Sequence, residues 1–379
     1  MKIVQLSPYF YPHLGGVESH VLELSKHLQK RGHEILVITT QLEGTESRSV
    51  VEGVTVKRIE PVSIRFSTPI VPDVRHILRD MYYDILHSHL PPPLMTFFGL
   101  WGIRNRDIPS VLTYHCDLEI PHPFGPLMVN LYQRTLGTYS VSKADKIITT
   151  TSTYGATSRA VWYRDAEIIP NAVDPERFHP RNSGKKIRER HDIDPDHKVV
   201  MYVGRLVYHK GLEFLVRSAK YLDDDTKYLI VGTGDFKPEL ERIVKDEELE
   251  DKVIFAGRVS NEDLPYYYGA TDVFVLPSVS RLEAFGIVTL EAMASEVPVV
   301  VSDIPGVREV ITEGRNGLVA EPMNPQDIAG KIRLILENPD VAKRMGKKGR
   351  ERVLDNFTWE IVAENIEKVY EELLGDKLI

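Results

Sequence analysis

The chain has 379 residues, 42% hydrophobic and 27% charged, with a formal net charge of -8 at pH 7. That length exceeds what one compact core covers and points to two domains of roughly 150–200 residues each. The apolar content excludes a disordered chain, the acidic balance argues against an electrostatic nucleic-acid binder, and the single cysteine, Cys116, allows neither an internal disulfide nor a multi-cysteine metal site and suits a reducing compartment.

In chain order, Lys2-Ile3-Val4-Gln5-Leu6 reads as a strand without the basic lead, long apolar core and cleavage site of a signal peptide, so a cytoplasmic protein is expected. No stretch approaches about 18 uninterrupted apolar residues, the length a spanning helix needs. Short apolar runs then alternate with amphipathic segments, the pattern of a parallel sheet covered by helices. Strands are predicted to start near Ile3, Ile35, Val54, Ile85, Val111 and Ile147. Between the first two, Val17, Val21, Leu24 and Leu28 recur at helical spacing, and Gly32 ends that helix. The stretch Pro170 to Gly184 lacks apolar periodicity and reads as a linker. A second series opens at Val199 to Val203 and continues through Tyr228 to Val231, Val253 to Phe255, Val273 to Leu276 and Val297 to Val301. After Pro325 the pattern is helical, with a break at Asn356-Phe357-Thr358-Trp359-Glu360 where Thr358 can cap the last helix. The expectation is an α/β protein of two doubly wound, Rossmann-like halves.

Three loops carry the chemistry. The first strand runs into Phe10-Tyr11-Pro12-His13-Leu14-Gly15-Gly16-Val17-Glu18, where two glycines precede a helix. This reads either as a tight strand-to-helix turn or as an anion cradle, since backbone N–H groups without Cβ atoms can approach a phosphate at a helix N-terminus. It is not the Gly-x-Gly-x-x-Gly fingerprint of nicotinamide enzymes. In the second half, Gly204-Arg205-Leu206-Val207-Tyr208-His209-Lys210-Gly211 follows a strand at the end where open α/β sheets bind ligands. Its two cations can converge on a diphosphate, Arg205 by a forked contact and Lys210 as a point charge, although such cations are also ordinary on solvated loops. The strongest signal is the run from Pro277 to Ala294, a strand end, a loop with Glu283, and a helix from about Gly286 that carries Glu291. Eight positions apart, the two carboxylates cannot pair on one helix face. Each can accept hydrogen bonds from vicinal hydroxyls. The alternatives are a helix-start charge and an exposed helix face.

With these motifs in order, and with Thr113-Tyr114-His115, Ile169-Pro170-Asn171-Ala172-Val173-Asp174 and Gly232-Thr233-Gly234 added, nearly the whole chain resembles family 4 of the retaining glycosyltransferases. The resemblance implies a GT-B fold: two Rossmann-like domains facing a cleft, an acceptor-side domain over 1–175 completed by a helix at 359–379, and a donor-binding domain over 176–358. It implies a nucleotide-sugar donor bound at Gly15, Gly16, Gly204, Gly232 and Gly234, with Gly16 touching the diphosphate and Arg205 and Lys210 neutralising it. Glu283 would bind the hydroxyls of the transferred sugar and Glu291 the ribose. The backbone at Arg258 and Val259 would meet the base, and amides near Ala284, Phe285, Gly286 and Ile287 the sugar or phosphate. His115 would hold a sugar hydroxyl beside the reacting carbon. No cofactor and no catalytic metal are implied. Ala284 stands where many members have glycine, and Cys116 follows the histidine.

Cys116 invites a nucleophile reading through its neighbour, which alternation along a strand opposes by sending the two side chains to opposite faces. Asp192-x-Asp194-x-Asp196 and Asp223-Asp224-Asp225 read as solvated turns rather than metal ligands. The acceptor is expected to be a sugar, a glycolipid or a lipid. Pro61 to Pro72, Pro91-Pro92-Pro93-Leu94-Met95 and Pro121 to Tyr132, with Arg65, Arg75 and Arg134 nearby, suit either a lipid acceptor with peripheral contact on the inner membrane face or burial against the sheet. The stretches Phe10 to Glu34 and Leu206 to Gly211 also resemble the subunit that adds N-acetylglucosamine to phosphatidylinositol. Two rivals share the architecture: a nucleotide-sugar 2-epimerase, which needs no second substrate, and a two-lobed sugar-binding protein of the periplasmic type.

Overall fold

The structure, a computed structural model, describes residues 1–13, 15–118 and 124–376. Leu14 of the glycine loop and 121–123 of the Pro121–Tyr132 segment lie outside the described residues, as do 119, 120 and 377–379. The chain divides into two compact units, residues 1–171 with 359–379 and residues 172–358.

The first unit holds the strands β1 (Lys2–Leu6), β2 (Glu34–Thr40), β3 (Arg48–Val51), β4 (Val54–Ile59), β5 (Ser63–Arg65), β6 (Thr68–Ile70), β7 (Ile85–Leu90), β8 (Ser110–Tyr114), β9 (Lys146–Thr149) and β10 (Ala166–Ile168). Eight of them form one sheet in the order β10-β9-β8-β7-β1-β2-β4-β3, and β5 and β6 pair separately. Only β3 runs antiparallel in the large sheet, turning into β4 through Glu52 and Gly53, both at positive φ, as a two-residue hairpin requires. Every residue of β7 and β8 is buried, as befits central parallel strands, and this burial includes the polar His87, Ser88, His89, Ser110 and Thr113. The chain order reverses between β1 and β7, so the carboxyl ends of these two strands flank the crevice where such sheets take ligands.

The helix Gly16–Lys30 links β1 to β2 and buries Val21, Leu24 and Leu28. Gly32, at φ 90°, then turns the chain. The C-terminal helix, Trp359–Asp376, packs on this first helix and buries Val362, Ala363, Ile366, Val369 and Tyr370 at three- and four-residue spacing. At about 1.5–3 kcal/mol for each large apolar side chain removed from water, this stripe holds the end of the chain on the unit that began it.

The second unit contains β11 (Lys198–Val203), β12 (Thr226–Val231), β13 (Val253–Gly257), β14 (Val273–Leu276), β15 (Val299–Ser302) and β16 (Leu318–Ala320). They are ordered β13-β12-β11-β14-β15-β16 and parallel throughout, again with a reversal at the centre, between β11 and β14. The division between the units falls at 171/172, four positions before the expected 175/176. Val173 N–H donates to the Phe357 carbonyl at 2.9 Å and Val173 bridges Thr358, so this part of the expected linker is bonded into the second unit.

Candidate active site

In the second unit each sequence-derived site residue follows the carboxyl end of β11, β12, β13 or β14. Gly204 and Arg205 come directly after β11, Gly232 and Gly234 after β12, Arg258 and Val259 after β13, and the Glu283 to Ile287 segment after β14. Backbone fit joins these loops. Gly211 has φ 66°, and a Cβ there would stand 2.2 Å from the Pro277 carbonyl oxygen; Val279 N–H donates to the His209 carbonyl at 3.0 Å. A Cβ on Gly232 would meet the Gly204 carbonyl oxygen at 1.8 Å. Gly232 therefore has a structural role in addition to the donor contact expected of it: it lets its loop touch the one that carries Gly204.

This packing sets Lys210 against Glu283 as a direct ion pair. Glu283 Oε2 also accepts from the buried Ser278 hydroxyl at 3.2 Å. Both charged side chains are largely shielded, 16% and 11% exposed, so they interact through less screening than a surface pair. Burial and then the Lys210 cation push His209 down to about 4, with Arg205 adding to the fall and Glu283 opposing it. His209 is thus neutral at pH 7, and Arg205, Lys210 and Glu283 share one electrostatic neighbourhood. Arg205 itself is exposed, and its carbonyl accepts from the Tyr202 hydroxyl at 3.1 Å.

Glu291 lies on the helix Ile287–Ala294, which starts after Gly286 at φ 77°. Its Oε2 accepts from the Tyr268 hydroxyl at 2.7 Å. Burial raises its pKa from the ordinary 4.5 to about 7, against the pull of the Tyr268 hydrogen bond and the Arg177 charge. An exposed helix face is therefore excluded for Glu291: this carboxyl is held in a poorly hydrated place with capacity for further donors. Tyr268, Ser278 and Arg177 were not singled out from the sequence. Tyr268 sits in Leu-Pro-Tyr-Tyr-Tyr-Gly, where nothing distinguishes one tyrosine from the next.

In the first unit, Gly15 is the N-cap of the first helix and Gly16 its first residue. The buried carboxylate of Glu18 lies so close to Gly15 that a Cβ would overlap Oε2, at 2.4 Å, and Glu18 Oε1 is 3.0 Å from His13 Nδ1. A chain carboxylate thus occupies the favourable end of the helix dipole. His115 follows β8, with its N–H bonded to the Leu90 carbonyl at 2.8 Å. Alternation continues that far: Thr113 and His115 turn to a group of buried histidines, His87 and His89 among them, whereas Tyr114 and Cys116 line a separate small cavity with Leu90 and Val141. His115 and Cys116 do not share a site. Gln5, His20, His87, His89 and Tyr370 belong to the histidine group and went unremarked in the sequence, although two histidines two residues apart on one strand lie on the same face.

The acidic triplets are occupied as turn residues: Asp194 Oδ1 accepts from Asp196 N–H at 2.9 Å, and Asp224 pairs with Lys252 at 3.0 Å. Of the apolar stretches, Pro91 to Met95 is accounted for by burial, since Pro93 starts the helix Pro93–Gly102 and Met95 is fully buried. The other two keep large apolar groups at the surface: Val62, Ile64 and Phe66 on and beside the β5–β6 hairpin, and Phe124, Leu127 and Leu131 along one face of the helix Gly125–Tyr132. Among the described residues no helix is long and apolar enough to cross a membrane.

Two largely parallel sheets of Rossmann order, with a shielded lysine–glutamate pair and a half-buried second glutamate at the switch point of the second, are the arrangement that the resemblance to enzymes of GT-B fold acting on glycosyl groups implies. Comparison with known proteins agrees. Residues 14–177 match the model of glycosyltransferase family 4 and residues 183–352 that of the group 1 glycosyl transferases. The chain is 30% identical to an uncharacterized glycosyltransferase of Methanocaldococcus jannaschii, over 99% of this chain and 100% of that one. It is 28% identical to a phosphatidyl-myo-inositol mannosyltransferase of Mycobacterium leprae, over 98% and 96%. Among solved structures, a sucrose-phosphate synthase from Thermosynechococcus elongatus superposes with a TM-score of 0.82 at 24% identity, covering 99% of both chains, a likeness of fold. This chain belongs to glycosyltransferase family 4.

Proposed function

We propose that the chain is a retaining, metal-independent glycosyltransferase that moves a hexose-type sugar from a UDP- or GDP-linked donor to a sugar, glycolipid or lipid acceptor. The observation that carries this reading is the Lys210–Glu283 pair, braced by Ser278 and neighboured by Arg205. Each of the two charges satisfies the other. A bound donor would divide them, drawing the ammonium to its diphosphate and the carboxylate to the sugar hydroxyls. Cleavage of the bond between the anomeric carbon and oxygen sends its electron pair to the departing phosphate oxygen, where Lys210 and Arg205 stabilise the charge as it develops. The acceptor oxygen bonds to the same face of the sugar while its proton passes to a phosphate oxygen, which gives retention without a protein nucleophile. Metal independence is what the family resemblance implies, and these two side chains offer the neutralisation that such a reaction needs.

In the same reading the Glu291 carboxylate takes the ribose hydroxyls, the backbone at Arg258 and Val259 the base, the amides at 284–287 and 15–16 the sugar and phosphates, and His115 a hydroxyl of the transferred sugar. The first unit takes the acceptor. The exposed Val62, Ile64 and Phe66 beside Arg65, and Phe124, Leu127 and Leu131 ahead of Arg134, support a lipid-linked acceptor met at an anionic membrane surface. The Mycobacterium leprae relative, named for a phosphatidylinositol acceptor, supports it too. The test is incubation with UDP-, GDP- and ADP-sugars in a chelator, with and without candidate acceptors. Acceptor-dependent consumption of an α-linked donor to an α-linked product is expected. A β-linked product, a requirement for added metal, or consumption without acceptor would each refute the corresponding part. Co-sedimentation with anionic but not neutral liposomes is expected for the membrane contact, and background binding to both counts against it.

A further inference from the structure

Four histidines of the first unit, His20, His87, His89 and His115, are buried together. Burial lowers the pKa of all four, His20 to about 4 and His87 to about 3. At pH 7 each ring is therefore neutral, with one nitrogen that donates and one that accepts. Their partners decide which is which. Gln5 Nε2 faces the Tyr370 hydroxyl at 3.4 Å and Gln5 Oε1 faces His89 Nε2 at 2.8 Å. An amide oxygen only accepts, so His89 carries its proton on Nε2 and leaves Nδ1 bare. That bare Nδ1 lies 3.0 Å from His115 Nε2, which must then be the protonated nitrogen of His115. The other end of the row is consistent: Tyr370 accepts from Gln5 and donates to His87 Nδ1 at 2.6 Å, and His87 Nε2 donates to the Thr113 hydroxyl at 2.7 Å.

We infer that Gln5 and His89 are positioning residues that fix the tautomer of His115, with the proton on Nε2 and a bare Nδ1 that accepts a hydrogen bond from a hydroxyl of the bound substrate. The inference rests on the reading of His115 as a contact of the transferred sugar. Reversing the Gln5 amide would reverse each proton in the row and turn His115 Nδ1 into a donor, so one amide on β1 sets the polarity of a ring beyond β8. A second buried acceptor stands beside this ring. His20 Nδ1 lies 3.0 Å from Asn171 Oδ1 and so carries the proton, and its buried Nε2 has no partner. This ring crosses that of His115 at 4.9 Å between centroids. An unpaired buried acceptor is costly until a donor arrives. Three neutral imidazoles are also a set of metal ligands, but the geometry favours the hydrogen bond. The rings of His89 and His115 lie within 22° of parallel, with centroids 5.3 Å apart, the N···N distance plus about one ring radius on each side. The two nitrogens thus point at each other rather than converging on an ion between them.

Long-range proton–nitrogen correlation on the ligand-free protein with 15N-labelled histidine reads the tautomer directly, with His115 assigned by its loss in His115→Ala. The expected spectrum shows a bare Nδ1 and a protonated Nε2 on His115; a protonated Nδ1, or two protonated nitrogens, overturns the inference. Gln5→Leu is expected to shift His115 towards the other tautomer and to reduce kcat about 10–100-fold while the Kd for UDP and GDP stays as it was. Gln5→Glu, which keeps an acceptor oxygen towards His89, should recover most of that loss. A folded Gln5→Leu protein with the original tautomer and full kcat also overturns it, and if that variant fails to fold the wild-type spectrum still decides. The spectrum needs no substrate, so failure of the wild type to turn over any nucleotide-sugar is a separate result that bears on the proposed function alone.

Discussion

Glu291→Gln separates a structural carboxyl from one kept for a ligand. Burial holds the Glu291 carboxyl at about 7 rather than 4.5. The folded protein therefore keeps a proton that the unfolded chain releases near its ordinary pKa, and ionising Glu291 costs stability. The cost is absent below about pH 4.5, grows between there and 7, and is complete above 7. A gap of about 2.5 pH units at 1.36 kcal/mol each gives about 3 kcal/mol, and about 1–2 kcal/mol once the side chain's remaining contact with water is allowed for. Glu291→Gln should accordingly be more stable than the wild type at pH 8 and nearly equal to it at pH 5. If ribose hydroxyls donate to the carboxylate, affinity follows the ionised fraction, which rises from about one tenth at pH 6 to about nine tenths at pH 8, so Kd should fall about tenfold more in the wild type than in the variant. The assay is calorimetric titration of UDP and GDP at pH 6, 7 and 8. The ligand's own phosphate titration affects both proteins alike, so the difference between them is the signal. Equal pH dependence in the two, or no stability gain in the variant at pH 8, would refute the argument.

The other tests concern charge and backbone. Lys210→Ala and Arg205→Ala should each lower kcat about 10²–10³-fold in a donor-turnover assay, the usual loss when one donor to a developing anion is removed; unchanged turnover in both undoes the mechanism. His115→Ala should slow transfer while leaving the Kd for UDP and GDP as it was, and a loss of nucleotide affinity without loss of rate would be the wrong result. Gly211→Ala, at φ 66° and facing the Pro277 carbonyl, should lower stability by at least about 1–3 kcal/mol in denaturant unfolding and weaken donor binding by displacing the loop that carries Lys210. A variant as stable as the wild type would mean that the two loops are not locked together there.

The sheets were legible because fully buried parallel strands are written as unbroken apolar runs, as Val199 to Val203 and Val273 to Leu276 are. Strands of three or four residues with exposed positions, such as β3 and β10, carry no such run. The β3–β4 turn uses Glu52-Gly53 in place of the Asn-Gly or Asp-Gly pair that announces a hairpin. The loops after β11 and β14 were legible as places where charge follows a strand, but the direct pairing of Lys210 with Glu283, 73 positions apart, was not, because spacing says nothing of contacts between loops. The histidine group was hidden for the same reason. His89 meets Gln5 across 84 positions and His87 meets Tyr370 across 283, and only the strand order β8-β7-β1 and the return of the last helix bring them together.

The central claim is that Arg205 and Lys210 grip a pyrophosphate, and titration of nucleoside, nucleoside monophosphate and nucleoside diphosphate into the wild type and an Arg205→Ala, Lys210→Ala double variant tests it most directly. Affinity should climb with each phosphate in the wild type and lose about 100-fold for the diphosphate in the double variant. A diphosphate bound no more tightly than its nucleoside, or held equally well without the two cations, would contradict the account.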